Sequence, residues 1–290
     1  VIAFNGEIYN HFNIRNNLQN SLARKLPWKG SSDTETILAA IENWGLQKSL
    51  EMARGMFAFA IFDKVKKKLF LVRDRFGEKP LYYGLVNSNF VFGSELKAVK
   101  AFPQFDNQVN RSALAEYLRY GSIPSPLSIY DGINKLQPGH IIEIEIHDNQ
   151  FSIKKPKKYW GLENIVPKEK DDLYTDEIEA LDSLESALKS SIQEQMISDV
   201  PLGAFLSGGV DSSSIVALMQ ENRTDRVKTF TVGFEEDEFD ESMHASQIAN
   251  HLNTDHTEFK LSSVEAQAVI PSIPEIYDEP FSDSSQIPTY

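Results

Sequence analysis

Two apolar runs face each other across a polar link. Met56-Phe57-Ala58-Phe59-Ala60-Ile61-Phe62 is followed by Asp63 to Lys68 and then by Leu69-Phe70-Leu71-Val72. The pattern predicts a β-hairpin. Side chains alternate sides along a strand, so a sheet with one wet face alternates apolar with polar residues. Here both faces are apolar, and the hairpin is expected in a sheet covered on both sides. Two more hairpins are expected, one of Leu81 to Val86 with Phe90 to Phe92 around Asn87-Ser88-Asn89. The other joins Ile141 to Ile146 and Phe151 to Ile153 through His147-Asp148-Asn149-Gln150. Ahead of them, Ser32 and Glu35 have capping-box spacing, Ile37, Leu38, Ile41 and Trp44 make a helical stripe, and Gly45 ends it. The first half therefore reads as antiparallel sheets with helices against them.

With 290 residues the chain has room for two domains. Lys154 to Asp172 is rich in Lys and Pro and lacks periodicity, which marks a linker. Beyond it Ile178, Leu181, Leu184, Leu188 and Ile192 recur at helical spacing. A strand (Leu202 to Leu206), a Gly-rich turn, a helix (Ser213 to Glu221), a strand (Thr229 to Val232), a helix (Ser242 to Leu252) and a short strand near Glu258 to Leu261 follow. That alternation is a parallel α/β pattern. The expected boundaries are residues 1–153, a linker over 154–175, and a second domain over 176–290.

A hydrophobic fraction of 41% is that of an ordinary globular chain. The net charge of −13 repels a phosphate backbone and argues against nucleic acid as a partner. The longest strongly apolar stretch, Gly55 to Phe62, is far short of the ~20 residues a membrane helix needs, so no membrane partner is expected and the expected location is the cytoplasm. Zero cysteine removes disulfides, thiolate zinc sites and a thiol nucleophile from the candidates. Val1 to Phe4 opens apolar without Met and Ile287-Pro288-Thr289-Tyr290 stops without a polar tail, so both ends read as cut and an internal fragment is expected.

Phe205-Leu206-Ser207-Gly208-Gly209-Val210-Asp211-Ser212-Ser213 lies between an apolar strand and a helix. Paired glycines let the backbone approach an anion, and the helix start offers free N–H groups with the positive end of the dipole behind them. Ser207, Ser212 and Ser213 add hydroxyls. Asp211 would repel phosphate unless it bridges through Mg²⁺ or caps the helix. The lysine of a Walker A element and the spacing of a dinucleotide fingerprint are both missing. In the first half, Phe4-Asn5-Gly6-Glu7-Ile8-Tyr9-Asn10 sets an asparagine amide beside a glycine N–H. Two such donors can hold one oxyanion, and a nearby carboxylate can hold an ammonium group. Taken alone, Asn-Gly also suits a turn, and Asp33 suits the first turn of a helix.

The loop resembles the pyrophosphate loop of the N-type ATP pyrophosphatases. With it, in order, Asn5 to Asn10, Ser32-Asp33-Thr34-Glu35, Arg54 to Phe59, Arg73-Asp74-Arg75-Phe76-Gly77, Lys79 to Tyr83, Gly93-Ser94-Glu95-Leu96-Lys97 and Gln137-Pro138-Gly139 resemble glutamine-hydrolysing asparagine synthetase across the chain. The resemblance implies a two-domain α/β protein: an N-terminal-nucleophile αββα sandwich (a class II glutamine amidotransferase lacking its amino-terminal part), then a Rossmann-like ATP-pyrophosphatase domain lacking its carboxy-terminal part. It implies glutamine, aspartate and ATP as substrates, Mg²⁺ as cofactor and a homodimer as partner state. Asn5 and Gly6 would form the oxyanion hole, and Glu7 and Asp33 would bind glutamine. Ser207, Gly208, Gly209, Asp211 and Ser212 would hold pyrophosphate, with Asp211 on Mg²⁺, and Phe205, Leu206 and Val232 would contact ATP. The family's cysteine is absent, as is its second nucleotide signature, so the fragment itself is expected to be inactive. An amidotransferase acting on another carboxylate and a non-catalytic nucleotide-binding protein are the rival readings. The acidic run Glu235 to Glu241 reads as a solvated loop, and His244, His251 and His256 lack metal-site spacing. Asp278-Glu279-Pro280-Phe281-Ser282-Asp283 resembles the family's substrate-side loop, and Tyr82-Tyr83 reads as core.

Overall fold

The computed structural model describes residues 1–22, 25–147, 150–166, 173–221, 223–235 and 240–290. The chain divides into two compact units, Val1–Val166 with Tyr277–Ser282, and Pro167–Ile276 with Asp283–Tyr290. The first unit runs β1 (Ile2–Ile8), α1 (His11–Ser21), α2 (Asp33–Trp44), α3 (Leu46–Met52), β2 (Gly55–Asp63), β3 (Lys68–Arg73), β4 (Tyr82–Val86), β5 (Asn89–Gly93), α4 (Leu96–Lys100), α5 (Arg111–Tyr120), β6 (Ile133–Lys135), β7 (His140–His147), β8 (Gln150–Ile153) and β9 (Lys157–Lys158).

The expected apolar hairpin forms, with Ile61 opposite Phe70 and Asp63 opposite Lys68. It lies inside an antiparallel sheet of order β1-β2-β3-β7-β8, with β9 also on β7. One face sends Phe57, Phe59, Ile61 and Val72 into a core with Ile14, Leu18, Ile37 and Leu50 of helices α1 to α3. The other sends Ala58, Ala60 and Leu71 toward Leu81, Tyr83 and Phe90 of the second hairpin. That hairpin belongs to a second sheet, β5-β4-β6, whose far face packs Val86, Val91 and Ile133 against Leu96 and Val99 of α4 and Ala113 of α5. Helix, sheet, sheet, helix: this is the αββα layering. Small Ala side chains on the face between the sheets leave room for large partners from the second sheet, while the Phe side chains point to the helices.

Local signals acted as expected at α2, where Ser32 accepts from the Glu35 amide and Gly45, at φ 81°, closes the helix. The expected reciprocal box does not form there. The Glu35 carboxylate turns to the Lys29 and Gly30 amides instead, holding the preceding loop. The second hairpin turns on Asn87 and Ser88, both at positive φ, and Asn89 already pairs with Val86. Such a two-residue turn matches the twist of its strands. The third hairpin also forms, though Asp148 and Asn149 of its turn lie outside the described residues.

The connection after β3 is built around Asp74, which has no exposed surface. Its carboxylate accepts from the amides of Phe57 (3.3 Å), Phe76 (3.1 Å), Glu78 (3.0 Å) and Lys79 (2.9 Å). Its carbonyl accepts from the Gly77 and Gly139 amides. The neighbouring Arg73 guanidinium, also buried, donates to the carbonyls of Lys79, Leu136 and Gly77 at 2.7–2.8 Å. Of the stretch expected as a linker, residues 154–160 lie against this same region. Lys157–Lys158 pairs with β7, Tyr159 donates to the Arg73 carbonyl, and Trp160 meets Phe76 edge-on. Residues 167–172 lie outside the described residues.

Tyr277–Ser282 completes this unit. Asp278 accepts from the amides of Leu96 (2.5 Å) and Lys97 (3.2 Å) at the start of α4. Glu279 accepts from the Ile129 amide and pairs with Lys135, both side chains mostly buried. These two carboxylates, read from the sequence as part of a substrate-side loop, are thus engaged within the first unit.

The second unit contains α6 (Glu177–Gln195), β10 (Gly203–Phe205), α7 (Val210–Glu221), β11 (Lys228–Phe234), α8 (Ser242–Leu252) and β12 (Asp255–Leu261). The strands form a parallel sheet in the order β10-β11-β12. Leu206, Val216, Ala245 and Ala249 make the core between the sheet and α7 and α8. The expected stripe of α6 stays largely uncovered, with Ile178, Leu181 and Leu184 exposed.

Replacing Asp74 with Ala would leave the buried Phe57 amide and three part-buried amides without their acceptor at once. The expected cost is about 3–5 kcal/mol, read as a lower urea midpoint at unchanged slope. A wild-type midpoint for Asp74→Ala would show that the connection does not depend on the carboxylate.

Candidate functional site

Asn5, Gly6 and Glu7 lie in β1, opposite Ala58, Phe57 and Met56 of β2. Among the described residues β1 is the outer strand of the first sheet. Gly6 is required twice over. Its φ is +140°, and a Cβ would sit 2.0 Å from the Met56 carbonyl oxygen. The peptide is thereby held in a conformation other residues rarely adopt. Strand alternation sends Ile2, Phe4 and Ile8 to the helical core, so Asn5 and Glu7 project to the opposite face. There the Asn5 Nδ2 donates to the Ser94 Oγ at 3.0 Å. Both Asn5 and Glu7 are exposed.

Asp33, the first residue of α2, is brought to the end of the same strand, where its Oδ2 accepts from the Ile8 amide at 2.9 Å. The acid expected from helix-dipole reasoning alone therefore also ties α2 to the Glu7–Ile8 peptide. The surroundings are acidic. Burial first, and then the fields of Glu78, Glu7 and Asp74, push the Tyr9 hydroxyl up to about 12. Such a field favours a cation. Asn10, buried, donates to the Met52 carbonyl and accepts from the Arg54 amide, so it serves the strand's exit.

In the second unit the Gly-rich loop opens α7, which begins at Val210 rather than at the expected Ser213 because the Gly209 carbonyl already accepts from the Ser213 amide. Asp211 thus sits in the first turn, exposed. The hydroxyls brace the loop: Ser207 and Ser212 lie 2.9 Å apart, the Ser212 Oγ accepts from the Ser207 amide, and the Ser213 Oγ donates to the Gly209 carbonyl at 2.7 Å. Leu206 is buried beneath the loop and does not line the neighbouring cleft. Phe205 and Val232 do share that cleft, about 480 Å³ in volume, with Phe230 and Phe259. Gly208 has a packing reason of its own, since a Cβ there would fall 2.8 Å from the His244 Cβ of α8.

Of the acidic run, Glu236, Asp237, Glu238 and Phe239 lie outside the described residues. Asp240 is held at about 2, mainly by the Ser242 amide and hydroxyl, and pairs with Lys260. No group of three or more metal-ligating side chains occurs among the described residues, so Asp211 stands as a single candidate carboxylate. No helix among the described residues is long and apolar enough to cross a membrane. Sequence reasoning missed Ser94 and Glu78 as neighbours of the Asn5 strand. Ser94 sits inside a motif string and Glu78 between two of them, but nothing local shows that the fold returns either to β1.

Residues 1–160 match the glutamine amidotransferase domain family, and residues 183–290 match the asparagine synthase family. With the αββα layers and the strand of Asn5 to Glu7 in place, the chain belongs to the glutamine amidotransferases. More particularly, it is similar over its whole length to a putative glutamine-hydrolysing asparagine synthetase 2 of Methanocaldococcus jannaschii, at 34% identity, covering 54% of that protein. Identity is likewise 34%, again over the whole chain, to the glutamine-hydrolysing asparagine synthetase 1 of Bacillus subtilis, of which it covers 43%. The chain thus spans about half the length of these curated relatives. Among solved structures, a glutamine phosphoribosylpyrophosphate amidotransferase of B. subtilis aligns over the whole chain and 76% of its own, at 15% identity and a TM-score of 0.41.

The Gly208 contact yields a test that separates packing from ligand approach. Gly208→Ala is expected to destabilise the nucleotide-free protein by about 1–3 kcal/mol, as overpacking does, because the clash is with a Cβ and no rotamer relieves it. Unchanged melting with lost nucleotide binding would assign Gly208 to the ligand alone.

Proposed function

We propose that these residues form part of a glutamine-hydrolysing asparagine synthetase. Residues 1–153 are the body of its amidotransferase part, 154–175 the connection, whose first residues fold onto that part, and 176–290 the start of its ATP-pyrophosphatase part, save Tyr277–Ser282, which complete the first unit. The observation that carries the reading is one chain holding an Asn5-Gly6-Glu7 strand with Asp33 at its end, and a lysine-free Ser207–Ser213 loop opening a helix of a parallel sheet.

In this reading the glutamine amide is attacked by a thiol supplied by residues outside the 290, which contain no cysteine. The Asn5 amide and the Gly6 N–H hold the oxyanion, while Glu7 and Asp33 hold the glutamine α-amino end in the acidic field around Tyr9. In the second part ATP activates the aspartate β-carboxylate as the adenylate, pyrophosphate leaves, and ammonia attacks to give asparagine and AMP. Ser207, Gly208, Gly209 and Ser212 receive the pyrophosphate at the start of α7, with Leu206 supporting the loop from below. The adenine lies in the cleft of Phe205 and Val232. Asp211 would hold Mg²⁺, which offsets the phosphate charge. The cytoplasm, where ATP and free amino acids are at hand, is the compartment this reading assigns.

A second reading keeps the amidotransferase but changes the acceptor carboxylate. It is favoured by 30% identity over 87% of the chain to the amidase chyE of Penicillium rubens, a relative not named for asparagine synthesis. Pyrophosphate release that requires aspartate supports the first reading, and release driven by another carboxylate supports the second.

In the full-length protein, Asp211→Ala is expected to abolish ATP-dependent pyrophosphate release while glutamine hydrolysis stays measurable. Release of orthophosphate instead of pyrophosphate by the wild type would overturn the assignment. Asn5→Ala is expected to lower glutamine turnover by about 10²–10³-fold with a much smaller change in KM, since its bond strengthens as charge develops. Asp33→Asn should do the reverse, because a grip on the ammonium is nearly the same in ground and transition states.

A further inference from the structure

The Asn5 amide can serve an oxyanion only if its N–H is held toward the reacting carbon. A free carboxamide turns about its last bond and presents oxygen as readily as nitrogen. Two hydrogens sit on Nδ2. One is donated to the Ser94 Oγ at 3.0 Å, which leaves the other to project from the strand. Asn5 and Ser94 are 89 residues apart in the chain and lie on different sheets, Asn5 in β1 of the first and Ser94 just past the end of β5 in the second. The bond therefore ties the position of the amide to the second sheet.

Ser94 is itself clamped on both sides. Gly93 ahead of it pairs with Tyr82 in the β4–β5 register. Behind it, Leu96 and Lys97 give their amides to the Asp278 carboxylate, so the joint from strand to helix has little freedom. A side-chain hydroxyl held this way restrains the amide more than water would, since water offers no fixed direction.

We propose that Ser94 is a positioning residue of glutamine hydrolysis, fixing the Asn5 carboxamide so that its second N–H faces the developing oxyanion. The proposal rests on the reading of Asn5 as an oxyanion donor. Ser94→Ala in the full-length protein is expected to lower glutamine turnover about 10- to 100-fold, the scale of a misplaced catalytic group, with KM for glutamine within about twofold. Ser94→Thr keeps the oxygen and should recover most of the turnover. In an Asn5→Ala background, Ser94→Ala should have no further effect, because both changes remove the same interaction.

Full glutamine turnover in Ser94→Ala overturns the proposal, and so does an additive loss in the double variant. A loss that Ser94→Thr does not restore also overturns it, pointing to packing at the joint instead. If Asn5→Ala alone leaves turnover intact, it is the reading of Asn5 that fails.

Discussion

An ionised carboxylate without water is costly, and Asp74 is tolerated because the backbone supplies what the solvent would. Removing such a charge from water costs several kcal/mol, and hydrogen bonds to charged groups return roughly 1.5–3 kcal/mol each. The donors are drawn from β2 and from the turn that leaves β3, so one side chain fixes that turn against the neighbouring strand. Arg73 does the complementary work, taking up carbonyls just before β4 and at the end of β6. The pair determines how the first sheet hands the chain to the second. Everything the candidate site needs on the face between the sheets follows from that handover, including the approach of the second sheet to β1.

How much of this was legible depended on whether the physics was local. The apolar hairpin, the Ser32 cap and the Gly45 stop are short-range signals, and the structure forms all three. The parallel order of β10, β11 and β12 followed from strand and helix alternation. What could not be read were pairings across long stretches of chain. Ser94 meets Asn5 from another sheet, and even a few residues suffice to redirect a side chain, as when Glu35 leaves its cap for the Lys29 and Gly30 amides. Asp278 and Glu279 serve α4 and Lys135, which nothing in their own neighbourhood foreshadows.

The glycines separate into two uses that sequence inspection merges. Gly6 answers to its own backbone, whose positive φ and contact with Met56 exclude a side chain. Gly208 answers to a neighbour, His244 of α8, in a loop whose serines already hold one another. A motif can thus be rich in glycine for reasons of assembly as well as of ligand approach. The loop's shape is held from within, by its own hydroxyls and amides.

The return of Tyr277–Ser282 to the first unit has a consequence in time. A ribosome finishes Val166 about 110 residues before it reaches Tyr277, which at ~5–20 residues per second is on the order of 5 to 20 seconds. During that interval the layered unit exists with the first turn of α4 uncapped and the mostly buried Lys135 ammonium lacking its carboxylate. The nascent chain therefore waits in an incomplete state with one cation looking for an anion. Its amino-terminal half is finished only when the later half has been translated.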